Sequence, residues 1–541
     1  MMKHYFVVFA VLFILAITPI LATNHMDLLY TLEGEFIGAQ FGYITISMDF
    51  NGDTYDDLIV VSPDWNPTRI YNDAMKYGKM YFYWGGPNFD TIADFVIEGT
   101  GHRYFDRNRY GYINAGDVNG DGIDDLVIAS WAHGYVKYLW VYFGTTTPSI
   151  EPDIAYTFQN IYLLELFALG DINGDYKDDI AINVTLSTPR NHRIHVWDDV
   201  NSEPWLYRVF TNDSGAPILS GVGDVNGDGY HDLLLQTAVT NSYTNRRYAL
   251  LYGNSYFPIA DSLVISENAP NTPSFFASPI GDVNGDGMAD FSAYNGRVWF
   301  GSPNLTATPD FRITYYVPIS HEWENLEDNA GYPLIYADLN SDGFDDIIGS
   351  CSNTGGGNGS VGIWLGKANA NGIADLYLYG PTGVGYQCFG WSKAVGDFNA
   401  DGTPDLAVSA PFWYQDEDWG TSGKVIVYTG NTQLADTTVA NEDELLPMPN
   451  NGDWRIDIYP NPSTNGKLNI CFTGEGYKTT TQVKIEVYNI KGQKLSSTDI
   501  THVQITGSEI ELVLPNASKG VYLISVKDGE HNLITKKTVI N

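Results

Sequence analysis

The sequence predicts an all-β protein: a seven-bladed β-propeller followed by a small β-sandwich. Three observations support this fold class. An acidic turn of nine residues recurs seven times, and each copy lies between short apolar segments of strand length. The chain is also rich in Gly (55), Tyr (37) and Trp (13), which favour turns and strands. Its 541 residues exceed what one ordinary core holds, so repeated units and a second domain are expected.

The acidic turn has Asp at its first position, Asn at the third, Asp at the fifth and Asp at the ninth. Successive copies begin between 53 and 68 residues apart, which indicates seven equivalent structural units. The seven sets are Asp49, Asn51, Asp53 and Asp57; Asp117, Asn119, Asp121 and Asp125; Asp171, Asn173, Asp175 and Asp179; Asp224, Asn226, Asp228 and Asp232; Asp282, Asn284, Asp286 and Asp290; Asp338, Asn340, Asp342 and Asp346; and Asp397, Asn399, Asp401 and Asp405.

Each unit has the pattern of four short β-strands. In the second unit one strand, "YGYINAGD", leads into the acidic turn, "DLVIAS" leaves it and "YLWVYFG" follows, while "ADFVIEG" at residues 93–99 is typical of the remaining strand. Four antiparallel strands repeated radially describe a propeller blade. The segment "DLLYTLEG" at residues 27–34 resembles that remaining strand, which the seventh unit lacks. We therefore expect the N-terminal strand to complete the seventh blade and close the ring.

Two short motifs flank the first and the last acidic turn. Phe41-Gly42 precedes the first turn, Phe389-Gly390 precedes the last, and Ser409-Ala410-Pro411 follows the last. These residues resemble the FG-GAP repeats of integrin α-subunit propellers and related bacterial proteins, and the resemblance covers residues 27–435. It implies a seven-bladed propeller. The middle units lack the Phe-Gly pair, so the prediction of their blades rests on the turn and strand pattern alone.

The crowding of carboxylates predicts a bound cation, and the expected cofactor is calcium. Calcium takes six to eight oxygen ligands, and the turn offers side-chain oxygens at positions one, three, five and nine with a carbonyl at position seven. An EF-hand is excluded because its twelfth position, a Glu, is Ile128 within a strand in the second copy. Hydrogen-bonded Asx turns without metal are the alternative. We expect the ion to be structural, because a site enclosed by protein oxygens leaves little room for a substrate.

Position six of the turn distinguishes the seven copies. This position makes a sharp turn that favours Gly. Five copies have Gly there, whereas the first has Thr54 and the third has Tyr176. Weaker metal binding is therefore expected in the first and third turns, so that calcium occupancy of the seven turns would be unequal.

The loops opposite the acidic turns form the expected ligand face. In an antiparallel blade successive loops emerge on opposite faces, so the next loop of every unit and the connection between units lie away from the acidic turns. These loops are rich in Trp, Tyr, Asn and Arg, the composition expected of a binding surface. The alternative is that several of these aromatic residues fill the spaces between blades. Candidates for stacking on sugar rings or packing against a protein, and for polar contacts, are Trp65, Tyr71, Trp131, Trp413, Tyr414 and Trp419, with Arg69, Arg107 and Asp416. The integrin resemblance implies binding on this same face.

Charge and motifs narrow the class of function. The net charge is -36, and it lies almost entirely before residue 454, because residues 454–541 carry 10 Lys/Arg against 8 Asp/Glu. Such a surface disfavours nucleic acid and favours a cation or a neutral partner such as a sugar. The chain has no G-x-S-x-G elbow, and "HEWEN" at 321–325 fails H-E-x-x-H because Asn325 replaces the second His. We expect no enzymatic activity, although a carboxylate pair for glycan cleavage remains an open alternative.

Both ends of the chain indicate export. Residues 1–22 have the pattern of a secretory signal peptide, and no other segment approaches a membrane span. Residues 23–435 form the expected propeller and 436–453 an acidic linker. Residues 454–541 alternate strands with Gly and Pro turns, which predicts a small β-sandwich. This last region resembles the C-terminal sorting domain of the bacterial type IX secretion system in Tyr459-Pro460-Asn461-Pro462, "YNIKGQ" at 488–493, Gly520-Val521-Tyr522 and the basic pair Lys536-Lys537. The resemblance implies the secretion machinery as a partner and a secreted or outer-membrane surface location.

The sequence as a whole predicts a non-enzymatic, exported, calcium-stabilised propeller that binds a glycan or an extracellular protein at the bacterial surface. Two alternatives remain open, because a fold does not determine a function. One is a glycan-degrading enzyme that uses the same loop face, which turnover of polysaccharides would identify. The other is a passive structural module of a surface layer, which the absence of any ligand and burial of Trp413 and Trp419 would favour.

Overall fold

The structure is a computed structural model, in which the chain divides into two compact units, Met1–Ala435 and Asp436–Asn541. The expected signal peptide, residues 1–22, and the expected linker, residues 436–453, lie outside the described residues. The structure describes residues 26–434 and 455–540 except for 69–76, 101–102, 109, 132–135, 187–190, 201, 203, 211–216, 239–244, 256–261, 271–277, 294–295, 318–321, 326–333, 352–358, 381–386, 414–421, 433, 460–466, 474–480, 490–493, 504–507, 514–519 and 529–530.

The first unit is a seven-bladed β-propeller, as the repeats predict, and each blade is a four-stranded antiparallel sheet. Its strands in chain order are β1 (Leu28–Glu33), which belongs to blade seven; β2 (Ile44–Met48), β3 (Asp57–Ser62), β4 (Lys79–Tyr83) and β5 (Phe95–Glu98) in blade one; β6 (Tyr112–Asn114), β7 (Leu126–Trp131), β8 (Val136–Tyr142) and β9 (Ile154–Gln159) in blade two; β10 (Ile161–Gly170), β11 (Asp179–Leu186), β12 (His192–Trp197) and β13 (Trp205–Phe210) in blade three; β14 (Ile218–Gly223), β15 (Asp232–Ala238), β16 (Asn245–Leu251) and β17 (Ser262–Pro270) in blade four; β18 (Ser278–Gly281), β19 (Asp290–Ala293), β20 (Arg297–Trp299) and β21 (Phe311–Arg312) in blade five; the hairpin β22 (Thr314–Val317) and β23 (Glu322–Asn325); β24 (Ile335–Ala337), β25 (Asp346–Cys351), β26 (Ser360–Trp364) and β27 (Leu376–Tyr379) in blade six; and β28 (Lys393–Gly396), β29 (Asp405–Ala410) and β30 (Lys424–Tyr428) in blade seven. In the portion of the chain that the structure describes, no helix is long and apolar enough to cross a membrane.

The N-terminal strand closes the ring, which confirms the expectation from residues 27–34. β1 pairs antiparallel with β30, with Leu32 opposite Val425 in the register. The closure continues past the strands, because the Gly34 amide donates to the Gly423 carbonyl at 3.1 Å and the Phe41 amide to the Ser422 carbonyl at 3.0 Å. Blade seven therefore contains the beginning and the end of the propeller sequence. The pairing of β1 with β30 leaves no unpaired edge between them.

The core lies between neighbouring blades. The second strand of a blade is sandwiched on both sides, and β3 and β29 are accordingly buried at every residue. Between blades one and two, Ile59 and Phe82 pack in one apolar cluster with Leu126 and Trp140. Burial of each such side chain contributes about 1.5–3 kcal/mol, so the repeated apolar strands account for the stacking of blades.

The Phe-Gly pairs have a packing role. Phe41 and Phe389 are buried in clusters at the two sides of blade seven. Gly390 has a φ of +84°, and a Cβ there would lie 2.7 Å from the Cβ of Ser350 in the neighbouring blade. Any other residue at this position would be strained by the positive φ and would clash with the next blade, so Gly is required for both reasons.

The second unit contains two antiparallel sheets in its described residues. The strands are β31 (Arg455–Tyr459), β32 (Lys467–Thr473), β33 (Thr481–Asn489), β34 (Lys494–Val503), β35 (Ser508–Val513), β36 (Gly520–Asp528) and β37 (His531–Ile540). One sheet has the order β31-β32-β35 and the other β34-β33-β36-β37. The all-β prediction is confirmed for this unit, and the packing of its two sheets into a sandwich stays a prediction.

Candidate functional site

The acidic turns all share one backbone fold, which blade two illustrates. Asp117 accepts hydrogen bonds from the amides of Gly120 (2.6 Å), Asp121 (2.9 Å) and Gly122 (2.7 Å). Asp121 in turn accepts one from the amide of Ile123 at 3.0 Å. In all seven turns the amides at positions five and six donate to the first Asp, and the amide at position seven donates to the Asp at position five. The recurring residue types therefore encode a recurring shape.

Two positions of the turn require a left-handed backbone. At position six the φ values are positive even where the residue is not Gly, with +75° at Thr54 and +67° at Tyr176. Position four, which the sequence analysis did not single out, is also left-handed and is occupied by Ser341 (+55°) in blade six and Ala400 (+60°) in blade seven. A side chain in this region costs about 1–2 kcal/mol, so only the turns of blades two, four and five have the favoured residue at both positions.

The Asp at position nine joins the turn to the blade. Asp125 is fully buried, and its Oδ2 accepts the amide of Val118 at 3.0 Å while its Oδ1 accepts the amide of Gly144 at 2.9 Å. Gly144 lies just beyond the end of β8, so one carboxylate connects the start of the turn with the next loop on the same face. In six of the seven blades a Gly at this place donates to the Asp at position nine. The sequence analysis missed this Gly, although its recurrence after the third strand is visible in the sequence.

Burial shifts the protonation of these carboxyls. Desolvation is the largest cause, repulsion from the other carboxylates of the turn adds to it, and the backbone hydrogen bonds oppose it. The pKa is raised to about 7 at Asp57, Asp232, Asp290 and Asp405. It is raised to about 8 at Asp125, Asp179 and Asp346. A cation would reverse this effect, because a positive charge beside a carboxylate favours its ionised form.

The donor set of each turn fits a calcium ion. Calcium prefers carboxylate and amide oxygens, which are the side-chain groups at positions one, three, five and nine. Within the described residues no group of three or more His, Cys, Asp or Glu is placed to hold a metal ion, because these carboxylates point to the amides of their own turn. In blade three, however, Asp179 Oδ1 is buried without a hydrogen-bond partner, and a bound cation would satisfy such an atom. A calcium ion would be held by the four side chains of each turn and would neutralise their mutual repulsion.

The acidic-turn face is also bonded from blade to blade. The amide that follows the Gly after the third strand donates to the carbonyl at position two of the preceding blade's turn. Thr145 of blade two donates in this way to Phe50 of blade one at 2.8 Å, and Ser302 of blade five to Val225 of blade four at 2.7 Å. Six of the seven junctions have this bond in the described part of the chain, namely Gly86 to Phe398, Thr145 to Phe50, Asn254 to Ile172, Ser302 to Val225, Lys367 to Val283 and Asn431 to Leu339. The face is thus a nearly continuous ring of backbone hydrogen bonds.

Nine ligand candidates were expected on the opposite face, and the structure describes the side chains of three. Trp65 is 3% exposed, its Nε1 donates to Glu35 Oε2 at 3.3 Å, and Lys79 Nζ lies 5.1 Å from its ring centroid. Trp65 therefore supports the loops from inside and does not offer an open stacking surface. Trp413 is half-buried against the core between blades six and seven, with Lys424 Nζ 4.7 Å from its ring centroid. Trp131 ends β7 with its side chain outside the described part, and the candidates that lie entirely outside the described residues are Arg69, Tyr71, Tyr414, Asp416 and Trp419.

Glu35, which follows the closing strand β1, forms hydrogen bonds to blade one. Its Oε1 accepts hydrogen bonds from Lys79 Nζ at 2.6 Å and from the Tyr81 hydroxyl at 2.9 Å. Burial raises the pKa of the Glu35 carboxyl, but the hydrogen bonds from Lys79, Tyr81 and Trp65 outweigh it and hold the pKa below its ordinary value. The ring closure therefore depends on a charged hydrogen-bond network as well as on strand pairing.

A partly buried group of rings lies on the face where the ligand was expected, and none of its three members was a candidate from the sequence. The aromatic cluster consists of Tyr43, Trp391 and Phe412, with ring centroids 5.2 Å apart for Tyr43 and Trp391 and 5.4 Å apart for Trp391 and Phe412. Tyr43 and Trp391 directly follow the two Phe-Gly pairs and precede β2 and β28, the first strands of blades one and seven, which contact each other. The position after Phe-Gly is the signal that could have found them.

Arg107 adds a charge beside the aromatic cluster. Its Nε donates to Asp64 Oδ1 at 3.1 Å, and a second guanidinium nitrogen contacts Asp64 Oδ2, so the pair is bidentate. Asp64 is buried, whereas the Arg107 side chain is 48% exposed and its guanidinium lies 6.0 Å from the Tyr43 ring centroid. The sequence candidate Arg107 is thus placed with aromatic residues, as a polar contact of a ligand would require.

Comparison with known proteins agrees with this architecture. A family model described as "FG-GAP repeat" matches residues 389–428, and one described as "Secretion system C-terminal sorting domain" matches residues 457–541. The chain carries an FG-GAP repeat in blade seven and a secretion sorting domain in its second unit. Both recognitions made from the sequence are confirmed, and the sorting domain indicates export to a secreted or outer-membrane surface location.

The relatives of this chain match only part of it. Integrin alpha-7 of Homo sapiens is 40% identical over 118 residues, which is 20% of this chain and 9% of that protein. Phosphatidylinositol-glycan-specific phospholipase D of Bos taurus is 28% identical over 158 residues, 26% of this chain and 18% of that protein. Integrin alpha-5 of Xenopus laevis is 28% identical over 109 residues, 20% of this chain and 10% of that protein. The chain therefore spans less than a fifth of the length of each of these relatives.

Proposed function

We propose that this protein is an exported, calcium-stabilised propeller that binds a glycan or an extracellular protein at the bacterial surface. The ligand binds on the face opposite the acidic turns. The observation that carries the proposal is the aromatic cluster of Tyr43, Trp391 and Phe412 with the exposed guanidinium of Arg107 beside it. Rings that are partly open to solvent suit both stacking on a sugar and packing against a protein.

The two faces have different roles, stability on the acidic-turn side and ligand binding on the other. Calcium at the acidic turns would hold carboxylates together that otherwise repel one another, and it would do so on the face where backbone bonds join the blades. The aromatic cluster lies at the junction of blades seven and one, where the N-terminal strand closes the ring. Loss of calcium would therefore weaken ligand binding through the shape of the ring and not through a direct contact with the ligand.

The test is an array of glycans and matrix proteins probed with the mature full chain, in calcium and again in chelator. Variants Trp391→Ala and Phe412→Ala each remove one ring of the aromatic cluster. Tyr176→Ala is the matched control, because it removes an aromatic side chain, 90% exposed, from the acidic-turn face. We expect each cluster variant to weaken binding about tenfold or more and the control to bind as the parent does.

The result also separates the alternatives. Hydrolysis of an arrayed polysaccharide would replace binding with catalysis on the same face. No ligand in either calcium or chelator would contradict the proposal and favour a passive structural module. A ligand that binds equally well to the Trp391→Ala variant would show that the site lies elsewhere on the loops.

A further inference from the structure

The acidic turn of blade three differs from the other six at the place where a Gly follows the third strand. In the other blades that Gly donates its amide to Oδ1 of the Asp at position nine, as Gly253 does to Asp232 at 2.8 Å. The equivalent residue in blade three is Asp199, because Trp197 pairs with Ile180 just as Leu251 pairs with Leu233. Blade three therefore has a carboxylate residue where the others have no side chain.

A side chain cannot occupy the Gly position without moving the backbone. A Cβ built on any of the six glycines would lie 2.2 to 2.7 Å from the carbonyl oxygen of the residue at position eight of its own turn. That distance is far below van der Waals contact, so a residue with a Cβ must lie elsewhere and its amide cannot reach the carboxylate. The six glycines are Gly85, Gly144, Gly253, Gly301, Gly366 and Gly430.

Asp179 consequently lacks a partner for one of its oxygens. Its Oδ2 accepts the amide of Ile172 at 3.0 Å, whereas its Oδ1 is buried and has no hydrogen-bond partner. The whole residue is 0% exposed. Trp197, the last residue of β12, pairs with Ile180, so Asp198 follows directly at the strand end nearest to Asp179. The orphaned oxygen therefore has no donor, and a second carboxylate residue, Asp198, follows the end of the neighbouring strand.

The same change interrupts the ring of bonds between blades. Among the described residues, the junction of blades two and three is the one without a bond from the amide after the Gly position to the preceding blade's turn. This junction keeps another contact, in which Asp178 Oδ2 accepts the amide of Asp117 at 3.0 Å. The interruption and the orphaned oxygen therefore occur at the same place in the ring.

We propose that a calcium ion replaces the missing amide in blade three, held by Asp179 Oδ1 and Asp198 together with the side chains at positions one, three and five. Asp198 becomes an additional ligand that the other turns lack, and this turn becomes the one whose local fold depends most on calcium. The inference rests on the proposed calcium binding of the acidic turns. It reverses the expectation of weaker binding that Tyr176 gave, because the Tyr176 amide already donates to Asp171 at 2.9 Å in the same turn shape as Gly.

The test is amide hydrogen exchange of the full chain, with the number of bound calcium ions counted by native mass spectrometry. The strand compared is β11, which begins at Asp179, and its internal control is β15 of blade four, which begins at Asp232 opposite an intact Gly. We expect calcium to slow exchange in β11 at least about fivefold more than in β15. The reason is that calcium would satisfy the buried Asp179 oxygen, which lowers local stability while it has no partner.

Two variants and one control isolate the cause. Asp198→Asn should raise the calcium concentration needed to protect β11 about tenfold, because it removes one charged ligand. Asp199→Gly restores the residue that supplies the amide, and it should make β11 protection nearly independent of calcium. Glu151→Gln is the matched control, because it removes the same charge from the same face of blade two at a side chain 74% exposed.

The outcomes separate this inference from the proposed function. If calcium binds but β11 and β15 respond alike, or if Asp198→Asn changes no more than Glu151→Gln, the assignment in blade three is wrong and calcium binding stands. If the parent chain binds no calcium at millimolar concentration, calcium stabilisation fails as a whole and takes this inference with it.

Discussion

The two faces of the propeller differ in how the sequence specifies them. The acidic-turn face repeats one set of residues seven times, and those residues make the same hydrogen bonds in nearly every blade. The opposite face has loops of different lengths and sequences, and its aromatic cluster forms where blades seven and one meet. The first face therefore has the properties of a scaffold and the second those of a site.

The difference separates residues that specify a repeated shape from residues that form a single surface feature. A turn that must join every blade to the next tolerates little variation, and its residues are fixed by backbone geometry. A loop on the far face varies more in length and sequence, which leaves it freer to specialise. This contrast requires the acidic-turn face to be uniformly structural.

The largest effect is expected at position nine of an acidic turn. Asp125→Ala removes the acceptor of two buried amides, those of Val118 and Gly144, and each unsatisfied amide costs about 1–3 kcal/mol. We expect the free energy of unfolding, measured by urea titration in calcium, to fall by about 3–5 kcal/mol. Asp121→Ala, at the exposed position five of the same turn, should cost less than half as much. Equal losses would mean that the turn acts only through its bound ion.

A smaller effect is expected where the ring closes on the opposite face. Glu35→Gln removes the charge that pairs with Lys79, whose side chain is 9% exposed, and should lower the free energy of unfolding by about 2 kcal/mol. Glu33→Gln is the control on the same closing strand, because Glu33 is 49% exposed beside Lys424 and its pair contributes less than about 1 kcal/mol. If both variants lower the free energy of unfolding equally, Glu35 does not stabilise the ring closure more than an exposed ion pair does.

The contrast between the faces also explains what the sequence could predict. Seven blades, the closing strand and the turn at position six follow from spacing, because a repeat turns one local pattern into a global architecture. The aromatic cluster did not follow, since Tyr43 and Phe412 are far apart in the sequence and meet only after the ring closes. Trp65 was a candidate because of its residue type, but its side chain is buried. The composition of a loop does not show which of its side chains are exposed and which are buried.

The pH dependence of stability should distinguish an empty turn from an occupied one. Burial raises the pKa of Asp125 to about 8 in the folded state, well above its unfolded value near 4, so the folded state binds this proton more tightly. The contribution is fully present below about pH 4 and is lost as the pH rises through 8. In chelator we expect the free energy of unfolding to fall by about 3 kcal/mol between pH 5 and pH 8. Calcium should abolish that slope, and a slope unchanged by calcium would contradict binding at these turns.

The smallest effect concerns the left-handed residues, and it tests whether the seven turns share one shape. Tyr176→Gly relieves a side chain held at a φ of +67°, and because Tyr176 is 90% exposed the change removes no packing. The conformational gain of about 1–2 kcal/mol is partly offset by the greater freedom of Gly in the unfolded chain, which leaves a net stabilisation of about 0.5–1 kcal/mol. Thr54→Gly in blade one should behave in the same way.

The converse substitution sharpens this test, because it separates backbone strain from crowding. Gly122→Ala in blade two places a Cβ at a φ of +86° with no atom within 4 Å of it, so any cost is conformational. We expect a loss of about 1 kcal/mol by urea unfolding, similar in size and opposite in sign to the effect of Tyr176→Gly. If Gly122→Ala is neutral, the turn can relax to another backbone shape. The acidic-turn face would then be less rigidly specified than its sevenfold repetition indicates.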